Sequence, residues 1–222
     1  MAYSAVPSVS TGDLWTAANQ NTYLRDNFSD HETRVLAAEA SITTLAANGY
    51  HLIEKQTLTE TSVAISFSSI PDTYESIEMI CVAKTSGNYI SELVQSRCND
   101  DAGNNYSTQI LANSGTSVST AKSGVVSAMD VGFVMGANAT QTSRFGILKI
   151  IIPGYKNTSA FKLLDTISSL CYLETSDSSN VWDVRRSSCV WLSTTAINKI
   201  SIYPGASGGF VAGSVFSLYG IV

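Results

Sequence analysis

GGFVAGSVFSLYGIV, residues 208–222, is the stretch whose reading decides the fold. Phe210, Ala212, Val215, Ser217, Tyr219 and Ile221 follow a step of two with one break, the period of a strand that buries one face. Its β-branched and aromatic residues suit a pleated, packed setting rather than a solvated tail. The segment is expected to be a strand, central in a sheet or at a subunit interface.

The same period runs backwards through SVAISF (62–67), YESIEMICVA (74–83), SELVQSRC (91–98), NYSTQILA (105–112), SGVVSAMDVGFVMG (123–136), RFGILKIIIPGY (144–155), AFKLLDTISSLCYLE (160–174), NVWDVRRSSCVWLS (180–193) and NKISIYPG (198–205). Turn residues separate them, among them Pro71-Asp72, Ser86-Gly87-Asn88, Asn113-Ser114-Gly115 and the run Gly205 to Gly209. About ten strands with no long helical run between them predict a mainly β fold, closed most simply as an antiparallel β-sandwich of the jelly-roll kind over residues 50–222.

Before Tyr50 the period changes. In LRDNFSDHETRVLAAEASITTL (24–45), Leu24, Phe28, His31, Val35, Ala38, Ile42 and Leu45 recur at alternating steps of four and three. That is a heptad, and its narrow stripe asks for a helix partner, most simply a second copy of itself. Ser29 and Glu32 have capping-box spacing, and Asn48-Gly49 marks the helix end. Residues 30–47 would span about 27 Å as a helix and be marginal alone. The chain is therefore read as an arm and helix over 1–28, a short oligomerising coiled-coil helix over 29–49, and the sandwich from 50, with Val35, Ala38, Ile42 and Leu45 as the oligomer interface. His31 is read as lying in the first helical turn rather than on a bundle axis.

Composition narrows the function. Of 222 residues, 44% are apolar and 14% charged, enough to bury a core. The net charge of −5 is spread, and no basic patch is present to hold a phosphate backbone, which argues against a nucleic-acid partner. No apolar run of about 18 residues offers a membrane span, and AYSAVPSVS after Met1 lacks the charge and apolar core of a secretory signal. Cys81, Cys98, Cys171 and Cys189 have neither CxxC nor zinc-ligand spacing and read as small buried hydrophobes. His31 and His51 are the only histidines. Neither a GxSxG motif nor a convincing carboxylate pair points to catalysis, so neither an enzyme nor a cofactor is expected.

TGDLWTAANQNTYLRDNF (11–28), ISFSSIPDTYESIEMIC (65–81), RCNDDAGNNYS (97–107) and AGSVFSLYGIV (212–222), in that order, resemble segments of a widespread group of tailed-bacteriophage virion proteins of fibre, tail-tip or head-appendage type. Cys98 stands where that pattern has an aromatic residue, and residues 172–188 fit no part of it. The resemblance implies a structural, homotrimeric virion protein assembled in the host bacterial cytoplasm. It implies docking on other phage structural proteins through the N-terminal segment, with Leu14, Trp15 and Tyr23 as docking residues. Separately from the resemblance, a host cell-surface glycan or protein is the expected ligand of the projecting sandwich. A capsid decoration, head-fibre or collar protein is the alternative role.

Aromatic side chains are the usual binding anchors. Of Tyr89, Tyr106, Tyr155, Tyr172, Trp182, Trp191 and Tyr203, the two beside turns, Tyr89 and Tyr106, are the expected receptor contacts, while at least one Trp belongs to the core. The loop Asn99 to Tyr106 reads as a hairpin turn with Gly103 at positive φ rather than as a Ca²⁺ site. Arg185-Arg186 reads as a solvated strand end.

Overall fold

The computed structural model describes residues 25–26, 28–37, 39, 49–138, 143–173, 180–206 and 208–222. The chain divides into two units, Met1–Gly49 and Tyr50–Val222. In the first, residues 25–26, 28–37 and 39 are helical, and Thr33 Oγ1 donates to the Ser29 carbonyl at 2.8 Å. Phe28, Val35, Leu36 and His31 are exposed along this helix. Ala38, Ile42 and Leu45, and the expected docking residues Leu14, Trp15 and Tyr23, lie outside the described residues.

The second unit is built from strands β1 Tyr50–Thr57, β2 Ile65–Ser68, β3 Ser76–Ala83, β4 Ser91–Cys98, β5 Tyr106–Ser114, β6 Ser117–Val126, β7 Met129–Met135, β8 Gly146–Pro153, β9 Lys162–Leu173, β10 Asn180–Trp191, β11 Lys199–Pro204 and β12 Val215–Ile221. They form an eight-stranded sheet in the order β1-β12-β3-β8-β9-β10-β5-β6 and a four-stranded sheet in the order β2-β11-β4-β7. All the strand pairs are antiparallel.

Four of these pairs are nested. β1 pairs with β12, β2 with β11, β3 with β8 and β4 with β7. That is the pattern a long antiparallel ribbon takes when it rolls up, and it makes the domain a jelly roll. Two consecutive strand pairs, β5–β6 and β9–β10, are inserted outside the nest. Both join the large sheet beyond β8, doubling it from four roll strands to eight. This widening is the feature that sets up the candidate site.

The core lies between the sheets. Phe67, Val94, Ile200 and Ile202 come from the small sheet, and Met79, Cys81, Leu148, Ile150, Phe216 and Leu218 from the large one. Each such side chain contributes about 1.5–3 kcal/mol by leaving water. β12 is interior to its sheet, between β1 and β3, but its phase is the reverse of the sequence expectation. Phe216, Leu218 and Gly220 point into the core, while Val215, Ser217, Tyr219 and Ile221 line the other face. Both phases carry apolar residues, so alternation alone left the choice open; the larger Phe216 takes the core place, edge-on to Phe210 at 4.9 Å. Gly220 is required here because the Tyr74 ring occupies the space a Cβ would need.

The stretch 123–136, expected as one strand, is the end of β6 and all of β7, broken at Ser127 and Ala128. β1 and most of β6 were not among the expected strands.

Candidate functional site

The two tyrosines expected at a receptor separate at once. Tyr106 is fully buried, which corrects its assignment as a receptor contact. Its hydroxyl accepts from the Cys98 N–H at 3.1 Å and lies 3.0 Å from the Asp101 carbonyl, and its ring stacks on Trp191 with centroids 6.4 Å apart. Trp191 Nε1 in turn donates to Asp101 Oδ2 at 2.7 Å. The loop is thus a hydrogen-bonded turn, with Asp101 also accepting from Gly103 N at 2.8 Å and Asn105 Nδ2 at 2.9 Å. These donors, the Trp191 indole first, hold the Asp101 carboxyl below its ordinary pKa. The residues at positive φ are Asn99 and Asp100, at 52° and 57°, in place of the expected Gly103. Asn and Asp tolerate that conformation better than other residues with a Cβ.

Tyr89 is 48% exposed on the β3–β4 connection. Its N–H donates to the Gly87 carbonyl at 2.8 Å, and that carbonyl also takes the Ala137 N–H at 2.7 Å. Gly136 passes against the Tyr89 carbonyl so closely that no Cβ fits. The ring is therefore presented on a fixed backbone. Among the other aromatic candidates Tyr155 and Trp191 are core, Tyr172 and Tyr203 half-buried, and Trp182 exposed.

The larger feature was not legible as a motif. The outward face of the widened sheet carries registered rows of side chains running across the strands. One row is Ile151, Asp165, Ser188, Gln109 and Lys122. Along it lie three adjoining depressions. The largest, about 410 Å³, is lined by Ser107, Gln109, Lys122 and Ser188 together with Leu163 and Val190. The next, about 330 Å³, shares Leu163 and Ser188 and reaches Asp165 and Arg186; the third, about 120 Å³, continues to Lys149 and Ile167. Hydroxyl, amide and ammonium groups beside aliphatic side chains suit a neutral ligand with both hydroxyls and C–H faces, the chemistry of a saccharide. The signal for this site was present in AFKLLDTISSL, where Leu163 and Ile167 put apolar groups on the phase opposite to Leu164.

The arginine doublet is not a strand end. It lies within β10, and its two members face opposite ways. Arg186 makes a bidentate pair with Asp165 on the outward face, at 3.0 and 2.7 Å. Arg185 points inward, pairs with buried Asp183 at 2.8 and 2.7 Å and covers the Phe133 ring at 3.5 Å. Lys149 donates to buried Glu78 at 2.8 Å, which raises its pKa. Lys162 is buried, donating to the Ala160 and Thr194 carbonyls at 2.9 and 3.2 Å, and burial lowers its pKa. Cys81, Cys98 and Cys189 are buried free thiols, as the sequence reading expected, whereas Cys171, expected to be buried with them, is only half-buried. Among the described residues no group of three His, Cys, Asp or Glu side chains is placed to hold a metal ion. No helix among them is long and apolar enough to cross a membrane.

Compared with protein-family models and with curated proteins, the chain matches none.

Proposed function

We propose that the chain is a structural virion protein of a tailed bacteriophage, a homotrimeric fibre or tail-tip appendage that contributes to host-surface attachment. The N-terminal segment docks on other phage structural proteins, the heptad aligns three copies, and the jelly roll meets a host cell-surface glycan or protein. The observation that carries this reading is the row of depressions on the widened sheet, where hydrogen-bonding and aliphatic side chains stand together on a rigid backbone. Such a surface binds rather than transforms its ligand. Three equivalent tips convert weak single contacts into avid attachment.

The test is binding of the purified protein to intact host cells, read against Ser188→Trp, which fills the largest depression from an exposed position and leaves the core untouched. The variant is expected to bind about tenfold less or worse. Unchanged binding by a folded Ser188→Trp protein would refute this placement of the ligand.

A further inference from the structure

The three depressions are continuous with one another. The first and second share Leu163 and Ser188, and the second and third share Asp165 and Arg186. Together they make a groove that follows the registered row from Ile151 on β8 through Asp165, Ser188 and Gln109 to Lys122 on β6, across five strands. Neighbouring strands lie about 4.8 Å apart, so the row is about 19 Å long.

Side-chain size produces the groove. Ser188, on the middle strand of the five, is short and exposed, while the rows on either side of it carry longer aliphatic groups, Leu163 and Val190 on one and Ile167 and Leu111 on the other. Along its floor the hydrogen-bonding groups are open to a ligand. Ser188 and Lys122 have no hydrogen-bond or ion-pair partner among the described residues. Gln109 donates its side-chain N–H to the Ala121 carbonyl at 3.0 Å, which leaves its side-chain oxygen as an acceptor. Asp165 and Arg186 fix each other through their bidentate pair and line the groove on both sides of that pair. From β9 to β6 a polar group therefore recurs on every strand, between two aliphatic rails.

We infer that the groove holds a run of about four consecutive sugar units of a linear polysaccharide, laid across the strands, rather than one terminal sugar. Two observations select the polymer. The polar groups repeat at the strand spacing, close to the advance of one pyranose ring along a glycan chain, so successive units meet similar surroundings. The row also ends on β6, the last strand of the sheet and exposed along most of its length, so a ligand chain leaves over an edge there instead of meeting a wall. A pocket for a single small ligand encloses most of that ligand's surface. The inference rests on the reading of the depressions as a saccharide site and adds the length and direction of what they bind.

The test uses fragments of one to eight sugar units, made from the host's surface polysaccharide by partial acid hydrolysis, as competitors for binding of the full-length protein to host cells. Inhibition is expected to improve about tenfold from two units to four and then to level off. Ile167→Trp supplies the control within the groove. Ile167 lines the third depression and neither of the others, and it is exposed, so the variant keeps the melting profile of the unaltered protein. Its inhibition by two-unit fragments is expected to be unchanged and the gain on reaching four units to be lost. Fragments of one or two units that inhibit as well as those of four, or an Ile167→Trp protein with unaltered length dependence, overturn the inference and leave the saccharide reading standing. Cell binding that neither the whole polysaccharide nor any fragment inhibits overturns both.

Discussion

Replacing Tyr106 by Phe removes one oxygen atom from the middle of the domain and nothing else. The ring is fully buried and keeps its stack on Trp191. The lost hydroxyl leaves the Cys98 N–H, 3.1 Å away, and the Asp101 carbonyl, 3.0 Å away, without that partner. A buried polar group stripped of its hydrogen bond costs about 1–3 kcal/mol, so about 2 kcal/mol is expected here. For a domain of this size each kcal/mol moves Tm by about 2–4 °C, which places the loss at about 4–8 °C. Thermal and urea unfolding measured by circular dichroism and Trp fluorescence read it directly, with Tyr89→Phe as an exposed control that leaves Tm unchanged. A Tyr106→Phe protein that melts with the unaltered one would refute the buried network. Lost host binding at undiminished stability would do the same, since it would put the hydroxyl on a ligand.

The arginine doublet gives a second, internally controlled prediction. Arg185→Met strands Asp183, only 3% exposed, and is expected to cost about 3 kcal/mol, whereas Arg186→Met breaks a solvent-screened, exposed pair and is expected to cost far less. Equal losses in urea unfolding would contradict the opposite facing of the two side chains. A third prediction concerns alkali. Burial raises the Cys81, Cys98 and Cys189 thiols above their ordinary 9.0, Cys189 to about 11, so these groups ionise more readily in the unfolded chain. Stability is then complete below pH 9 and falls as pH rises from there towards the folded values, each thiol adding at most about 1.4 kcal/mol per pH unit. Lys162, whose pKa is lowered, acts the other way just below its ordinary 10.5 and offsets part of the slope. Urea unfolding between pH 8 and 10.5 checks the sign; a flat or rising profile would show the thiols to be solvated. Cys81→Ala, which removes one thiol, should make the slope shallower.

The architecture was legible wherever one face of a strand is buried. Strands such as β3, β4 and β8 alternate because the sandwich core takes every second residue, and the count and turn residues were enough to expect a jelly roll. β6 was missed because Ser117 to Gly124 contains little apolar residue to alternate, as befits an edge strand exposed along its length. β1, YHLIEKQT, was missed for a related reason: it is the opposite edge, and its register shifts between Leu52 and Glu54. The phase of β12 was not determined by its sequence, since Val215 and Phe216 are equally good strand residues. Tyr106 shows the limit at the candidate site. A tyrosine beside an Asn-Asp turn has the same local sequence whether its ring faces water or the core, and the partner that decides, Trp191, is far along the chain. The depressions left only a partial local trace, the second apolar phase of Leu163 and Ile167, because Gln109, Lys122, Leu163 and Ser188 meet only through the pairing of the two inserted strand pairs.

The central claim, that this is an appendage of a tailed-phage particle, is tested most directly by imaging the purified particle at a resolution that distinguishes the widened jelly roll. The account predicts three copies around a common axis at the tail tip or along a fibre, each with its N-terminal segment against the particle and the depressions of the large sheet accessible. Jelly rolls repeated over the shell or neck, or particles that lack the chain, would contradict it.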